Sequence, residues 1–323
     1  MIKRLFLGVL PFMLAASCAQ TPGRTPSLRA IRLPMGYIPN VQFAPFYVAL
    51  EKGYFREEGI DLSFDYKFET DGVALVGAGE IPFALVSGEQ VPLARAQGLP
   101  VVYAMAWWNG YPVAVAALES TGIRTVQDLK GKNVGIPVLS GASYVGFRAL
   151  LNSAGMVEQD VTLEVIGYSQ VEALIVGTVD AAVVYANNEP VQLEMRGYKV
   201  SVIRVANFVN LASNGLLTNE KTIQNEPELV RAMIRAILRG VNDAVADPDA
   251  AYLICRKYVD GLAENDPVQK GVLAATVEFW RTGQPGRSDP AAWQNMEATL
   301  RSMGLLTQPL DITKAFTNDY LPK

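Results

Sequence analysis

The chain has 323 residues, half of them hydrophobic, and a net charge of −4 from 28 basic and 32 acidic side chains. That balance leaves no basic footprint for nucleic acid and no polybasic membrane surface. Histidine is absent and only two cysteines occur, which excludes the Ser-His-Asp triad, the Cys-His pair and His-ligated metal sites; no catalytic residue, metal or cofactor is expected.

Residues 1–18 read MIKRLFLGVLPFMLAASC. Lys3 and Arg4 precede a short apolar run, and Ala15-Ala16-Ser17 lead into Cys18. This is the layout of a secretory signal, and the run is too short to span a bilayer. Small residues followed by cysteine resemble a bacterial lipobox, which implies a lipidated Cys18 as the mature N-terminus. An exported protein, lipid-anchored to the cell membrane or outer membrane and facing periplasm or exterior, is the expectation. Residues 19–29, AQTPGRTPSLR, are rich in Pro, Thr, Ser and Gly and read as a flexible tether.

The remaining stretch of roughly 290 residues suits two medium domains. Strands are predicted at 30–37, 61–68, 81–86 and 101–107, with helices at 44–52, 70–78 and 90–96 between them. A second series starts at Thr125. It has strands at 133–136, 161–166, 181–185 and 200–205, and helices at 140–154, 170–176 and 190–195. From Glu226 the pattern is helical, because apolar residues recur at helical spacing. Cys255 sits in the apolar run YLICRKY, where a buried structural thiol is expected. The fold class is therefore α/β with two lobes, a ligand cleft between them and a helical C-terminal stretch. Lobe 1 is assigned 30–117 and 217–323, and lobe 2 is assigned 118–216. A chain that crosses twice between lobes makes a hinge.

Several motifs resemble the periplasmic substrate-binding proteins of ABC importers, in the branch of thiamine-precursor, riboflavin and alkylsulfonate binders. They are Pro39-Asn40, the run Ala44 to Ala49, Lys52-Gly53-Tyr54-Phe55 and Glu58-Gly59-Ile60. Thr125 to Lys132, Gly177 to Ala181 and Tyr185-Ala186-Asn187-Asn188-Glu189-Pro190 complete the set. The resemblance covers about residues 30 to 260 and implies the two-lobed type II-like fold. It implies a monomer that captures a small molecule and delivers it to an ABC permease and ATPase.

In open α/β sheets ligands bind beyond the carboxyl ends of the strands. The stretches there are 37–43, 69–71, 87–90, 107–111, 139–144, 168–170 and 185–189. Rings come from Tyr37, Phe43, Trp107, Trp108, Tyr144, Tyr168 and Tyr185. Asn40, Gln42, Gln90, Asn109 and Asn187 offer paired donors and acceptors. Ser87, Ser140 and Ser143 offer hydroxyls, and Glu89 and Glu189 accept from N–H or hydroxyl groups. Strand alternation sends Trp107 and Trp108 to opposite sides. One can then stack on a flat ligand; one in the core and one at the lobe interface is the other arrangement. Lys and Arg are almost missing from these stretches, so a neutral flat aromatic nutrient fits better than an anion. Riboflavin is the first expectation, and a hydroxymethylpyrimidine-type thiamine precursor the second. A pyrimidine-synthesising enzyme on the same fold is the alternative of another class. It would want a reactive Lys or His in the cleft.

Overall fold

The computed structural model describes residues 28–281 and 283–323. Cys18, its signal and residues 19–27 of the tether lie outside them. The first series runs β1 (Arg29–Pro34), α1 (Ala44–Glu51), α2 (Tyr54–Glu57), β2 (Ile60–Asp65), α3 (Glu69–Gly77), β3 (Ala84–Val86), α4 (Gln90–Ala96) and β4 (Val101–Ala106). The second runs β5 (Val113–Leu118), β6 (Asn133–Ile136), α5 (Gly141–Ser153), β7 (Thr162–Val165), α6 (Gln170–Val176), β8 (Ala181–Tyr185), α7 (Glu189–Met195) and β9 (Val200–Arg204). The chain returns through β10 (Gly215–Asn219) and continues as α8 (Glu220–Asn225), α9 (Pro227–Ala246), α10 (Pro248–Cys255), α11 (Pro267–Arg281) and α12 (Pro290–Ser302).

In the first lobe β1 and β2 pair in parallel, β1 packs beside β3, and β10 lies between β3 and β4. In the second lobe the strand order is β7-β6-β8-β5-β9. β10 is antiparallel to both of its neighbours, and so is β5. Each enters its sheet from the opposite lobe without a crossover helix, and a parallel pair would require one.

Two boundaries differ from the sequence expectation. β5 belongs to the five-stranded sheet of the second lobe, so the first crossing precedes Val113 rather than falling at 117–118. β1 begins at Arg29, which removes that residue from the tether. The C-terminal helices also serve both lobes: α11 packs on α7 and α12 on α5, besides the α9 and α10 contacts to α1.

The apolar stripe of α9 explains why it docks. Val230, Met233, Ile234, Ile237, Val241 and Ala244 recur at helical spacing and are buried. They lie against α1, where Phe46 and Tyr47 are buried. The two helices touch so closely that a Cβ on Gly240 would lie 2.0 Å from the Pro45 carbonyl oxygen. Each large side chain buried here contributes about 1.5–3 kcal/mol. Cys255 sits in this core, fully buried, with its thiol pKa pushed up to about 12 by burial. It is a packing residue, as its apolar setting suggested. Among the described residues no helix is long and apolar enough to cross a membrane.

Candidate functional site

The strand ends of both lobes face one cavity of about 220 Å3. The first lobe supplies Tyr37 and Gln42-Phe43 after β1, Glu69 and Thr70 at the start of α3, Ser87 and Gln90 after β3, and Trp107-Trp108 after β4. The second supplies Ser140 to Ser143 after β6, Tyr168 and Gln170 after β7, and Tyr185, Asn188 and Glu189 after β8. Asn214, just before β10, completes the wall at the return crossing. No Lys or Arg occurs among these lining residues.

The rings form a continuous wall. Phe43 stacks on Trp107, Trp107 leans on Trp108, and Trp108 meets Tyr185 edge-on with centroids 5.7 Å apart. Across the cleft Tyr37 of the first lobe meets Tyr168 of the second. Both tryptophans line the cavity, although strand alternation had put them on opposite sides. The reason is that β4 ends at Ala106. Beyond it the backbone bends, and the N–H groups of both tryptophans point to the Asn214 carbonyl, at 2.9 and 3.4 Å. Trp107 is 6 % exposed and Trp108 2 %. Both indole N–H groups, and the side-chain nitrogen of Gln42, are buried with no hydrogen-bond partner among the described residues. Unpaired buried donors are costly, so these groups are suited to a ligand acceptor.

The acidic side of the cleft is unusual. Ser87 Oγ lies 2.5 Å from Glu69 Oε2 and 2.7 Å from Glu89 Oε1. Burial, and then the neighbouring Glu89, push the Glu69 carboxyl well above the usual carboxylate range. Burial likewise raises Glu89. Gly36 makes room for Glu69: its φ is +73°, and a Cβ there would lie 2.6 Å from Glu69 Cγ. A side chain at Gly36 would have both a strained backbone and a clash. Glu189 accepts from the Tyr185 backbone N–H at 2.9 Å and from Asn188 Nδ2 at 2.9 Å. Burial pushes its pKa up to about 7 against those bonds.

At the start of α5, Ser140 has extended backbone and its side chain makes no capping bond. The helix N-terminus thus presents free N–H groups to the cavity beside Ser143. No cation accompanies them.

The cavity brings together Tyr37, Gln42, Phe43, Ser87, Gln90, Trp107, Trp108, Ser140, Ser143, Tyr168, Tyr185 and Glu189. Five expected residues stand elsewhere. Asn40 caps its own turn, accepting from the Gln42 N–H at 3.0 Å. Glu89 is 0 % exposed and lies behind Ser87. Asn109 has turned past Trp108 into a second cavity, where its N–H donates to the Phe279 carbonyl. Tyr144 is held by Glu158 and Arg148, at 2.7 and 2.8 Å, because helix rotation carries it past the face of Ser140 and Gly141. Asn187 donates to Thr276 Oγ1 at 2.8 Å and ties the second lobe to α11.

Glu69, Thr70, Gln170 and Asn188 line the cleft without having been assigned a role. They stand in the strand-end stretches already picked out. What was missing was the chain reversal that points them inward. Phe68, 75 % exposed, forms part of the rim and carried no signal in sequence.

Comparison with known proteins agrees with this geometry. A riboflavin-binding protein, RibY, of Chloroflexus aurantiacus is 39 % identical, over 99 % of this chain and 98 % of that protein. A formylaminopyrimidine-binding protein of Halalkalibacterium halodurans is 27 % identical, over 96 % of each. A 4-amino-5-hydroxymethyl-2-methylpyrimidine phosphate synthase of Legionella pneumophila is 26 % identical, over 90 % of this chain and 92 % of that protein. Among solved structures, the periplasmic aliphatic sulphonate binding protein SsuA of Escherichia coli superposes with a TM-score of 0.73 at 16 % identity, covering 89 % of this chain and 97 % of that one. That likeness is one of fold: two α/β lobes around a cleft, as in periplasmic binding proteins. The NMT1/THI5-like family pattern matches residues 40–251. With that match and a relative 39 % identical along its whole length, this binding protein belongs to the NMT1/THI5-like family.

Proposed function

We propose that this protein captures riboflavin outside the cytoplasm and hands it to an ABC importer. The observation that carries the reading is the 39 % identity, end to end, with a protein named for riboflavin binding. The cavity supports it physically. A flat tricyclic ring needs aromatic walls, and Trp108, Tyr185, Tyr37 and Tyr168 supply them. A neutral ligand needs no cation, and none lines the site. The free N–H groups at the start of α5, with Ser140 and Ser143, suit a polyhydroxyl chain.

A second reading, capture of a thiamine-precursor pyrimidine, is favoured by the 27 % identical formylaminopyrimidine-binding relative. Synthesis of the pyrimidine is disfavoured, because no Lys lines the cavity and the chain has no His. Export with a lipid on Cys18 is the companion proposal, and it rests on the signal-like N-terminus.

Titration of the purified protein with riboflavin tests the ligand, read by loss of flavin fluorescence. Stoichiometric quenching that hydroxymethylpyrimidine does not compete away is expected. Competition by the pyrimidine at lower concentration than riboflavin would select the second reading. Membrane fractionation of Cys18→Ala tests the anchor; a variant that stays with the lipid would refute it.

A further inference from the structure

One serine hydroxyl stands between two carboxyl groups at the edge of the cleft. Ser87 Oγ is within hydrogen-bond distance of both Glu69 Oε2 and Glu89 Oε1. A serine hydroxyl donates one bond only. Both contacts are hydrogen bonds only if one carboxyl group brings its own proton. Glu89 Oε1 also accepts from Gln90 Nε2 at 3.1 Å, which favours the charge on Glu89. Glu69 then holds the proton on Oε2 and donates it to Ser87 Oγ, while Ser87 donates to Glu89. This leaves Glu69 Oε1, on the Gly36 side, as a neutral acceptor at the cavity wall.

No Lys or Arg among the lining residues offsets the two charges, and the donors from Ser87 and Gln90 only partly oppose the effect of burial. The groups facing the pair are tyrosines: Tyr111 after β4, Tyr168 after β7 and Tyr185 at the end of β8. Glu189, with Tyr37 beside it, adds a second carboxyl group to the cavity lining. Two carboxylates sharing one site do not both ionise without a cation, and here a serine bridges them. A second observation points to a ligand at this place. Gln42, Trp107 and Trp108, each more than nine-tenths buried and each carrying an unpartnered side-chain donor, line the same cavity. Together they offer several donors and one neutral acceptor, the complement of an imide edge, which presents carbonyl, N–H and carbonyl in a row.

We propose that Glu69, Ser87 and Glu89 form a proton-holding recognition site for the imide edge of a flat heterocycle, and that the protonated cluster is the form that captures ligand. The inference rests on the riboflavin reading for its ligand, but not for its proton. Loss of the proton would put a second carboxylate beside Glu89 under a neutral ligand. Binding therefore weakens as pH rises, and each capture above the cluster's pKa takes one proton from solvent.

Riboflavin titrations of the parent and Glu69→Gln between about pH 6 and 9 test the coupling. The amide keeps the neutral shape, donating to Ser87 and accepting on its oxygen. The parent should lose affinity at the alkaline end, approaching about tenfold per pH unit, while Glu69→Gln stays flat. Equal slopes in the two proteins, or a flat parent, would overturn the proposal. Infrared difference spectra of the ligand-free proteins supply the second readout. Parent minus Glu69→Gln should show the carbonyl stretch of a protonated carboxyl at neutral pH, lost at high pH. Absence of that band overturns the proton-holding site whatever the ligand. If the band is present but riboflavin binds at no pH, the ligand reading fails and the proton-holding site is supported.

Discussion

The ring of Phe43 lies nearly parallel to that of Trp107, with centroids 5.2 Å apart and planes 13° apart. Phe46 meets Trp107 edge-on at 5.3 Å, and Trp108 leans on it at 4.7 Å. Trp107 is thus clasped by protein rings, and its part in binding falls to its edge and indole N–H. Trp107→Phe keeps most of the ring and removes that N–H. It should cost roughly 0.5–1.5 kcal/mol of riboflavin binding, the worth of one hydrogen bond. Urea unfolding should show a smaller change.

Trp108 touches Tyr185 and Phe279 and separates the two cavities. Trp108→Ala should weaken riboflavin binding by roughly 1–3 kcal/mol, by analogy with base–aromatic stacking. That is about a tenfold to hundredfold loss. The same change should lower stability by about 3–5 kcal/mol, because a buried ring is deleted. Titration and urea unfolding must therefore be read together. Parent-like affinity in both tryptophan variants would remove the aromatic wall from the binding model.

Tyr37 and Tyr168 come from different lobes and meet at 75° with centroids 5.3 Å apart. Such a contact forms only when the lobes are near each other, so ligand-driven closure of the cleft should depend on it. Small-angle scattering should show a smaller radius of gyration with riboflavin than without. Tyr168→Ala should speed riboflavin release roughly two- to tenfold in stopped flow, from loss of about 0.5–1.5 kcal/mol. An unchanged radius at saturating ligand would argue against a closing cleft.

Stability should depend on pH through the buried acids. Glu189, Glu69 and Glu89 all have raised folded-state pKa values. The folded protein then binds more protons than the unfolded chain once pH passes the ordinary glutamate value. For Glu189 stability should fall from about pH 4.5 to about 7 and level off above it. Glu189→Gln should flatten that part of the profile in denaturant titrations of the ligand-free protein. A profile that rises over this window in the parent and not in the variant would contradict the burial argument.

Riboflavin binding should depend only weakly on salt, because no Lys or Arg lines the cavity to be screened. The affinity should change by less than about twofold between low and moderate ionic strength. A steep loss would indicate an anionic ligand held by cations outside this wall.

Much of the architecture is written along the chain. Alternating apolar runs and helix periods mark two β/α series, since side-chain periodicity is local. Strand-end stretches carry the rings and amides, and the missing histidines and scarce cations are plain by inspection. β5 and β10 were not legible as strands. Val113–Leu118 and Gly215–Asn219 break the β-to-α rhythm and were read as connections. Their sheet partners lie in the lobe that the chain is entering, and pairing between distant segments leaves no local period. The same limit applied within the site. Residue type marked Trp107, Gln42 and Glu189 as binding groups, but only the bend after Ala106 turned both tryptophans into one cavity. Only the meeting of α3 with the turn after β3 set Glu69 against Ser87 and Glu89, because shared burial is a property of the packed whole. The residue types of the strand-end stretches therefore determined a cleft without cations; tertiary packing decided that two of its acids meet at one serine.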